Sequence, residues 1–300
     1  MTTIDSGHGP SSANGAGGGS PPDVGTPVTL TVDGRSVEVA DGATVLDACT
    51  AAGVETPTLC WAANLTPVNA CRLCVVEQEG SRTLVPACSR RAEEGMVLHT
   101  DSERVRHSRK MVLEFLGSAS ELDQAPDLAR WSAHYGADPG RYGPAPATMD
   151  EEVRVQDELY IRDYDRCVLC YKCVEACGDD AQHTYAITMS GRGFGARIST
   201  EFDVTLPDSA CVYCGNCVAV CPTNALQFKT EFDLREAASW RPEEQTVTRT
   251  VCSYCGVGCN LELHVQDETI VKVTSPDDHD VTAGHLCIKG RFGWGYVHGR

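Results

Sequence analysis

Two runs of cysteine carry most of the chemistry in this 300-residue chain. The first reads Cys167-Val-Leu-Cys170-Tyr-Lys-Cys173-Val-Glu-Ala-Cys177, the second Cys211-Val-Tyr-Cys214-Gly-Asn-Cys217-Val-Ala-Val-Cys221-Pro222. Both have the spacing C-x2-C-x2-C-x3-C. Three thiolates so spaced lie on one tight loop and can bind three corners of an iron–sulfur cube, while the fourth, one helical turn on, points toward a second cube. The two runs would therefore exchange their last ligands. Cys167, Cys170, Cys173 and Cys221 are expected to hold one [4Fe–4S] cluster, and Cys177, Cys211, Cys214 and Cys217 another. A zinc site usually takes two separated cysteine pairs and fits this duplicated pattern poorly.

The totals agree with metal chemistry. There are 17 cysteines and no legible secretory or transmembrane segment, which points to a reducing, cytoplasmic compartment, to no membrane span, and to metal rather than disulfides. Aromatic residues make up only 6%, so an ordinary core would be thin, and metal–ligand bonds can supply part of the folding free energy. A formal charge of −17 argues against a nucleic-acid partner, whose phosphates demand Lys and Arg.

Residues 1–26, rich in Gly, Ser and Pro, are expected to be a disordered tail. From Val28 the apolar residues alternate through Asp33-Gly34 to Val39, the pattern of a hairpin. A short helix over Thr44–Ala52 follows, with Thr44 and Asp47 placed as a capping box and Gly53 as its stop. Cys49 falls on its apolar face beside Val45 and reads as a small buried hydrophobe. Next come Cys60, Cys71, Cys74 and Cys88, spaced C-x10-C-x2-C-x13-C. Hairpin, helix, C-x2-C loop and distant fourth cysteine form the order of a β-grasp [2Fe–2S] ferredoxin, although the plant-type first gap is x4.

Here a family resemblance becomes specific. The words Thr58-Leu-Cys60, Ala70-Cys71-Arg-Leu-Cys74-Val-Val-Glu77, Leu84-Val-Pro86-Ala-Cys88 and Glu94-Gly95-Met96-Val97 resemble the N-terminal domain shared by the complex I large subunit, iron-only hydrogenases and NAD-linked formate dehydrogenases. One departure is Asn69-Ala70, where the family has a glycine-containing turn; Asn tolerates left-handed angles better than most residues. An amphipathic helix is expected over 102–117, with Val105, Val112, Phe115 and Leu116 on its apolar side and Gly117 as its end. Arg104, Arg106, His107, Arg109 and Lys110 would form a solvated face. In the related families this helix leads to a His-x3-Cys-x2-Cys-x5-Cys motif for a further [4Fe–4S] cluster. Ser118–Gly143 contains no cysteine, so that cluster is expected to be missing, and His107 and His134 read as ordinary histidines.

A polar, Pro-rich connector, 139–155, leads to the ferredoxin-like blocks. The insertion over 184–205 suits short strands, with Gly191, Gly193 and Gly195 as turn residues. The last set, Cys252, Cys255, Cys259 and Cys287, has the spacing C-x2-C-x3-C-x27-C and encloses a hairpin with Asp267-Glu268 in its turn. The words Cys252-Ser-Tyr-Cys255-Gly-Val-Gly-Cys259 and Gly284-His-Leu-Cys287-Ile-Lys289-Gly290-Arg291-Phe292-Gly293 resemble the N-terminal [4Fe–4S] domain of molybdopterin oxidoreductases, formate dehydrogenases above all. The resemblance implies that Lys289 lies between this cluster and a pterin cofactor, either coupling the two or only neutralising cluster charge.

Sixteen of the 17 cysteines thus fall into four sets of four, for one [2Fe–2S] and three [4Fe–4S] clusters. The expected architecture is an α+β multidomain chain. It comprises a β-grasp domain over 27–101, a helical segment and linker over 102–155, a 2[4Fe–4S] ferredoxin-like domain over 156–240, and a small, mostly β [4Fe–4S] domain over 246–300. The expected function is an electron-transfer module of a formate dehydrogenase-like complex, with a complex I-like or hydrogenase-like complex as the alternative. The implied partners are a molybdopterin-containing catalytic subunit and an NAD/flavin or ferredoxin-type protein. No catalytic residue of a pterin enzyme is legible, so the catalytic body is expected on another chain or in a longer form of this one.

Overall fold

The computed structural model describes residues 25–143, 151–279 and 281–298. Most of the expected tail, residues 1–24, lies outside the described residues. The alternating stretch forms β1 (Val28–Val32) and β2 (Arg35–Val39), joined by Asp33 at φ +46° and Gly34 at φ +79°. Two successive left-handed residues make the tight turn whose twist matches paired strands. Helix α1 (Val45–Ala51) has both halves of its capping box, since the Asp47 amide donates to Thr44 Oγ1 and the Thr44 amide to Asp47 Oδ2. Strands β3 (Val75–Gln78), β4 (Val85–Pro86) and β5 (Val97–His99) complete a sheet in the order β2-β1-β5-β3-β4, with β1 and β5 parallel. Leu30, Val32, Val45, Ala48, Val76 and Leu98 form the core between α1 and this sheet, and Cys49 is fully buried among them as a packing residue.

Helix α2 (Glu103–Ala119) runs two residues past the expected stop at Gly117. Gly117 serves another purpose: a Cβ there would lie 2.7 Å from Pro139, so its bareness lets the 139–142 turn pack against the helix. That turn is fastened by buried Glu114, which accepts from the Asp138 amide and from Arg141. The start of the expected connector is therefore packed structure, and residues 144–150 of it lie outside the described residues. Two side chains of α2 depart from the helical-wheel reading. Phe115 is 50% exposed and stacks on Tyr142, and its place in the core is taken by Leu113. Arg109 is buried rather than solvated, donating to the Val75 carbonyl and to Tyr135 Oη. Helix α3 (Pro126–Tyr135) then lays Leu128, Trp131 and Tyr135 over α2, ending at left-handed Gly136.

The next unit is built on short strands, because its cysteine loops leave few residues for regular structure. Strand β7 (Tyr160–Arg162) pairs on one side with β6 (Arg154–Val155) and on the other with β10 (Leu226–Phe228), both antiparallel. Helix α4 (Lys172–Cys177) begins inside the first cysteine run. Strands β8 (Thr188–Ser190) and β9 (Arg197–Ser199) form the expected hairpin insertion, with Gly191 and Gly193 at positive φ. Helix α5 (Asn216–Ala219) begins inside the second run, followed by β10 (Leu226–Phe228) and α6 (Lys229–Glu236). The last unit is a meander, β11 (Thr246–Val251), β12 (Asn260–Gln266) and β13 (Thr269–Thr274), closed by α7 (Ile288–Phe292). Asp267 and Glu268 both take positive φ in the hairpin turn.

Buried Glu231 on α6 ties these last two units together, pairing with Arg235 at 2.8 Å and with Lys272 of β13 at 3.0 Å. Burial acts to raise its pKa, but Lys272 and Arg235 outweigh it and hold the carboxyl below its ordinary value. A depressed carboxyl stabilises the fold above its unfolded pKa, and that contribution fades as pH falls through the folded value. Acidification below about pH 4.5 is therefore expected to loosen the α6–β13 contact in the native protein. Glu231→Gln should flatten that part of the pH profile, as read by hydrogen exchange at β13; an unchanged profile would count against the pair.

Candidate iron–sulfur sites

The four cysteine sets assemble by different local means. In the first, the loop between α1 and β3 brings Cys60, Cys71 and Cys74 together, and Cys88 follows β4. Asn69 takes φ +60° and Arg72 φ +59°, so the turn in front of the C-x2-C pair does form with Asn in place of glycine. Cys60, Cys74 and Cys88 are buried to 2% exposure or less. The Cys71 amide donates to Cys60 Sγ, and the Leu73 amide to Cys71 Sγ, each at 3.4 Å. Contact with the thiols of Cys71 and Cys88 pulls the Cys60 pKa down, while the same contacts push Cys71 and Cys88 far up. Four thiols this close do not all ionise without a cation among them.

The two central runs are near copies in space. Leu169 and Tyr171 in the first, and Tyr213 and Gly215 in the second, sit at positive φ in corresponding positions. These left-handed residues fold each run into a loop whose amides face sulfur: Leu169 and Lys172 toward Cys167 and Cys170, Tyr213 and Asn216 toward Cys211 and Cys214. One cavity is lined by Cys167, Cys170, Cys173 and Cys221. A second is lined by Cys177, Cys211, Cys214 and Cys217. Each run thus sends its fourth cysteine to the other run's cavity. Burial pushes the Cys167 thiol up to about 11 and Cys170 up to about 12, and raises Cys173 and Cys217 well above the ordinary value. Hydroxyls approach the sulfurs, Tyr160 Oη 3.0 Å from Cys211 Sγ and Thr184 Oγ1 3.5 Å from Cys177 Sγ.

In the fourth set, Cys252 is buried behind β11, Cys259 is half-buried at the start of β12, and Cys255 and Cys287 are exposed. The Cys252 amide donates to the Cys259 carbonyl at 2.8 Å, closing the loop, and the other three sulfurs act together to raise the Cys259 thiol, after burial. Lys289 is exposed, its ammonium 6.0 Å from the Tyr254 ring centre, and it lines a cavity together with Cys252, Trp294 and Tyr296.

Among the described residues no three or more His, Cys, Asp or Glu side chains gather as they would around a single metal ion. The cysteines of the two central sets surround volumes instead, as the ligands of a multi-atom iron–sulfide core must. All-sulfur donors, inward amides and the cavity linings fit such a core. Cluster iron needs thiolates, so taking it up in place of these raised thiols would release protons.

The sets also adjoin one another. Cys60, Cys71 and Cys170 share one apolar cluster with Leu59, Leu73 and Val168, which joins the first set to the second. Cys173, Cys177, Cys217 and Cys221 share another, which joins the second to the third. Arg291 joins the third to the fourth, its Nε donating to the Cys214 carbonyl at 2.9 Å. The loop over 62–66 locks the arrangement: Asn64 Nδ2 donates to the Ala283 carbonyl, and the Thr66 amide and hydroxyl donate to Asp180. Sequence reasoning missed Arg291, Asn216 and Asn64. Arg291 stands inside a quoted motif, but no spacing rule joins it to Asn216, 75 positions away.

Comparison with known proteins finds three iron–sulfur domain types. A 2Fe-2S iron-sulfur cluster binding domain matches residues 25–103, a 4Fe-4S dicluster domain residues 166–225, and a molybdopterin oxidoreductase Fe4S4 domain residues 245–299. The chain is 34% identical over 276 residues to the NADPH-Fe(3+) oxidoreductase subunit alpha of Geobacter sulfurreducens, an alignment covering 90% of this chain and 32% of that one. It is 33% identical to an NADH-quinone oxidoreductase subunit of Rhizobium meliloti, covering 91% of this chain and 32% of that one. A putative formate dehydrogenase of Staphylococcus haemolyticus is 27% identical, with 90% and 31% covered. The chain thus spans about a third of the length of these relatives. A crystal structure of an NAD+-reducing [NiFe]-hydrogenase matches with a TM-score of 0.60 and 28% identity, covering 67% of this chain and 87% of that one. No described helix is long and apolar enough to cross a membrane.

Proposed function

We propose that this iron–sulfur electron-transfer module, with its 2Fe-2S, dicluster and Fe4S4 domains, carries electrons along one unbranched line of four clusters in a formate dehydrogenase-like complex. The line starts at a [2Fe–2S] cluster on Cys60, Cys71, Cys74 and Cys88. It passes through [4Fe–4S] clusters on Cys167, Cys170, Cys173 and Cys221, then on Cys177, Cys211, Cys214 and Cys217, and ends at one on Cys252, Cys255, Cys259 and Cys287. The clusters supply one-electron relay chemistry; the protein fixes their order, wraps the inner ones in apolar side chains and aims amides and hydroxyls at their sulfurs. The observation that carries the reading is that each cysteine set adjoins the next and none stands aside.

The ends suit partners. Cys255 and Cys287 are exposed beside exposed Val251, Val257, Ile288 and Tyr296, a face suited to a pterin-bearing catalytic body, with Lys289 at its edge. The [2Fe–2S] end would meet an NAD/flavin or ferredoxin-type partner. A complex I-like or hydrogenase-like role is the second reading, favoured by the likeness to the NADH-quinone oxidoreductase of Rhizobium meliloti and to the NAD+-reducing hydrogenase.

Anaerobic purification of the protein is expected to yield iron and acid-labile sulfide for one [2Fe–2S] and three [4Fe–4S] clusters, with paramagnetic signals after dithionite. Stoichiometric zinc and a silent reduced sample would sink the reading. A co-purifying pterin subunit would favour the formate dehydrogenase assignment, and a flavin subunit alone the complex I-like one.

A further inference from the structure

Arg291 has no solvent exposure, and its surroundings are built for a guanidinium. It lies on α7, four residues past Cys287, and reaches back into the second cysteine run. Nε donates to the Cys214 carbonyl at 2.9 Å, and Nη2 to Asn216 Oδ1 at 2.9 Å and to the Gly284 carbonyl at 3.4 Å. Asn216 is itself 2% exposed, and its Oδ1 also accepts from the Leu286 amide at 2.9 Å. Gly215, at φ +69°, is bare where a Cβ would run into the Arg291 side chain and come within 2.8 Å of Phe292. The second run is thus shaped to admit this side chain.

Two features of the site lack a protein explanation. Nη1 is buried with no hydrogen-bond partner, and no carboxylate among the described residues pairs with the guanidinium. A guanidinium stays charged and carries five donors, and a buried charge left without a counter-charge costs several kcal/mol. Its Nε already touches the backbone of Cys214, and the groups able to bear negative charge that act on it are the sulfurs of Cys214, Cys217 and Cys287. A cluster held by thiolates supplies both missing things, negative charge and sulfur acceptors.

We propose that Arg291 is the buried counter-ion of the third cluster, the one on Cys177, Cys211, Cys214 and Cys217, and raises its reduction potential above the value it would have without that cation. This rests on the reading of the four sets as clusters. Reduction adds one electron and no proton, so the cluster gains a unit of negative charge with no bond made or broken. A fixed cation beside it stabilises the reduced form. Arg291 acts as a positioning and tuning residue, holding the third and fourth clusters side by side while drawing the electron toward the third.

The test is a potentiometric titration, followed by paramagnetic resonance, of the anaerobically purified full chain. Arg291→Gln is expected to lower one [4Fe–4S] midpoint by at least a tenfold change in the reduction equilibrium, about 59 mV for one electron. Iron and sulfide content should stay unchanged, and Arg291→Lys, which keeps the charge, should recover most of the shift. Unmoved midpoints at full cluster content overturn the proposal. So do equal shifts in the Gln and Lys variants, which would assign the effect to packing. Should Arg291→Gln lose clusters, Asn216→Asp, which sets a carboxylate on the guanidinium at constant volume, must lower the same midpoint; no shift there also overturns it. A wild-type protein without clusters defeats the cluster reading and this proposal together, whereas a clustered protein with unmoved potentials defeats the proposal alone.

Discussion

Cys177→Ala is expected to empty the third site and spare the second, although Cys177 belongs to the first cysteine run. If the runs bound their clusters separately, the cluster on Cys167, Cys170 and Cys173 would suffer. The geometry places Cys177 on the wall of the cavity that Cys211, Cys214 and Cys217 line, and Cys221 on the wall of the other. The variant should therefore lose about four irons per chain. The reciprocal Cys221→Ala should spare the third cluster and lose the second. The two can be told apart by pairing each with Arg291→Gln, since only the third cluster is expected to respond to that residue. Identical residual spectra from Cys177→Ala and Cys221→Ala would defeat the crossed arrangement. Stability falls too, because cluster binding contributes to folding and the two sites share a core that includes Cys173, Cys177 and Val218.

Trp131→Ala is expected to have the largest effect of any substitution outside the ligands, about 3–5 kcal/mol on the local stability of α2 and α3. Trp131 is 8% exposed, stacks on Tyr135 at 5.8 Å and carries the Arg130 guanidinium 4.5 Å from its ring centre. It packs with Leu113 and Leu128 in the apolar cluster that also holds Cys60 and Cys170. The segment 118–143 contains no cysteine, and its packing is supplied by Leu128 and Trp131 against Leu113. Removing the indole would leave a cavity beside the junction of the first and second sets. Native-state hydrogen exchange at Leu113 and Leu128 reads the loss directly; a change under about 1 kcal/mol would mean that Trp131 is not part of the core. The [2Fe–2S] signal should also bleach faster in air, because water gains a path to Cys60.

How much of this was legible in the chain depends on the range of the interactions. The hairpin at Asp33-Gly34, the capping box of α1 and the turn at Asp267-Glu268 were legible because each is settled within four residues. The length of α2 was not. Gly117 looks like a stop, but the helix runs on to Ala119 and the bare Cα makes room for Pro139, 22 positions on. Arg109 looked solvated because its partners, Val75 and Tyr135, lie 34 and 26 positions away. Phe115 looked buried because the wheel does not say which neighbour arrives on which side.

The cysteine spacings alone point to four ligand sets and to iron–sulfur chemistry, since spacing within a loop is a local property and sulfur donors leave few alternatives. Which set neighbours which is visible only in the folded chain, where Cys60 and Cys71 share an apolar cluster with Cys170 and Arg291 reaches the Cys214 carbonyl. The physical reason is that a ligand set is written by covalent reach along the backbone. The neighbour of each set is chosen by which surfaces bury each other, and that information is spread over residues with no fixed separation.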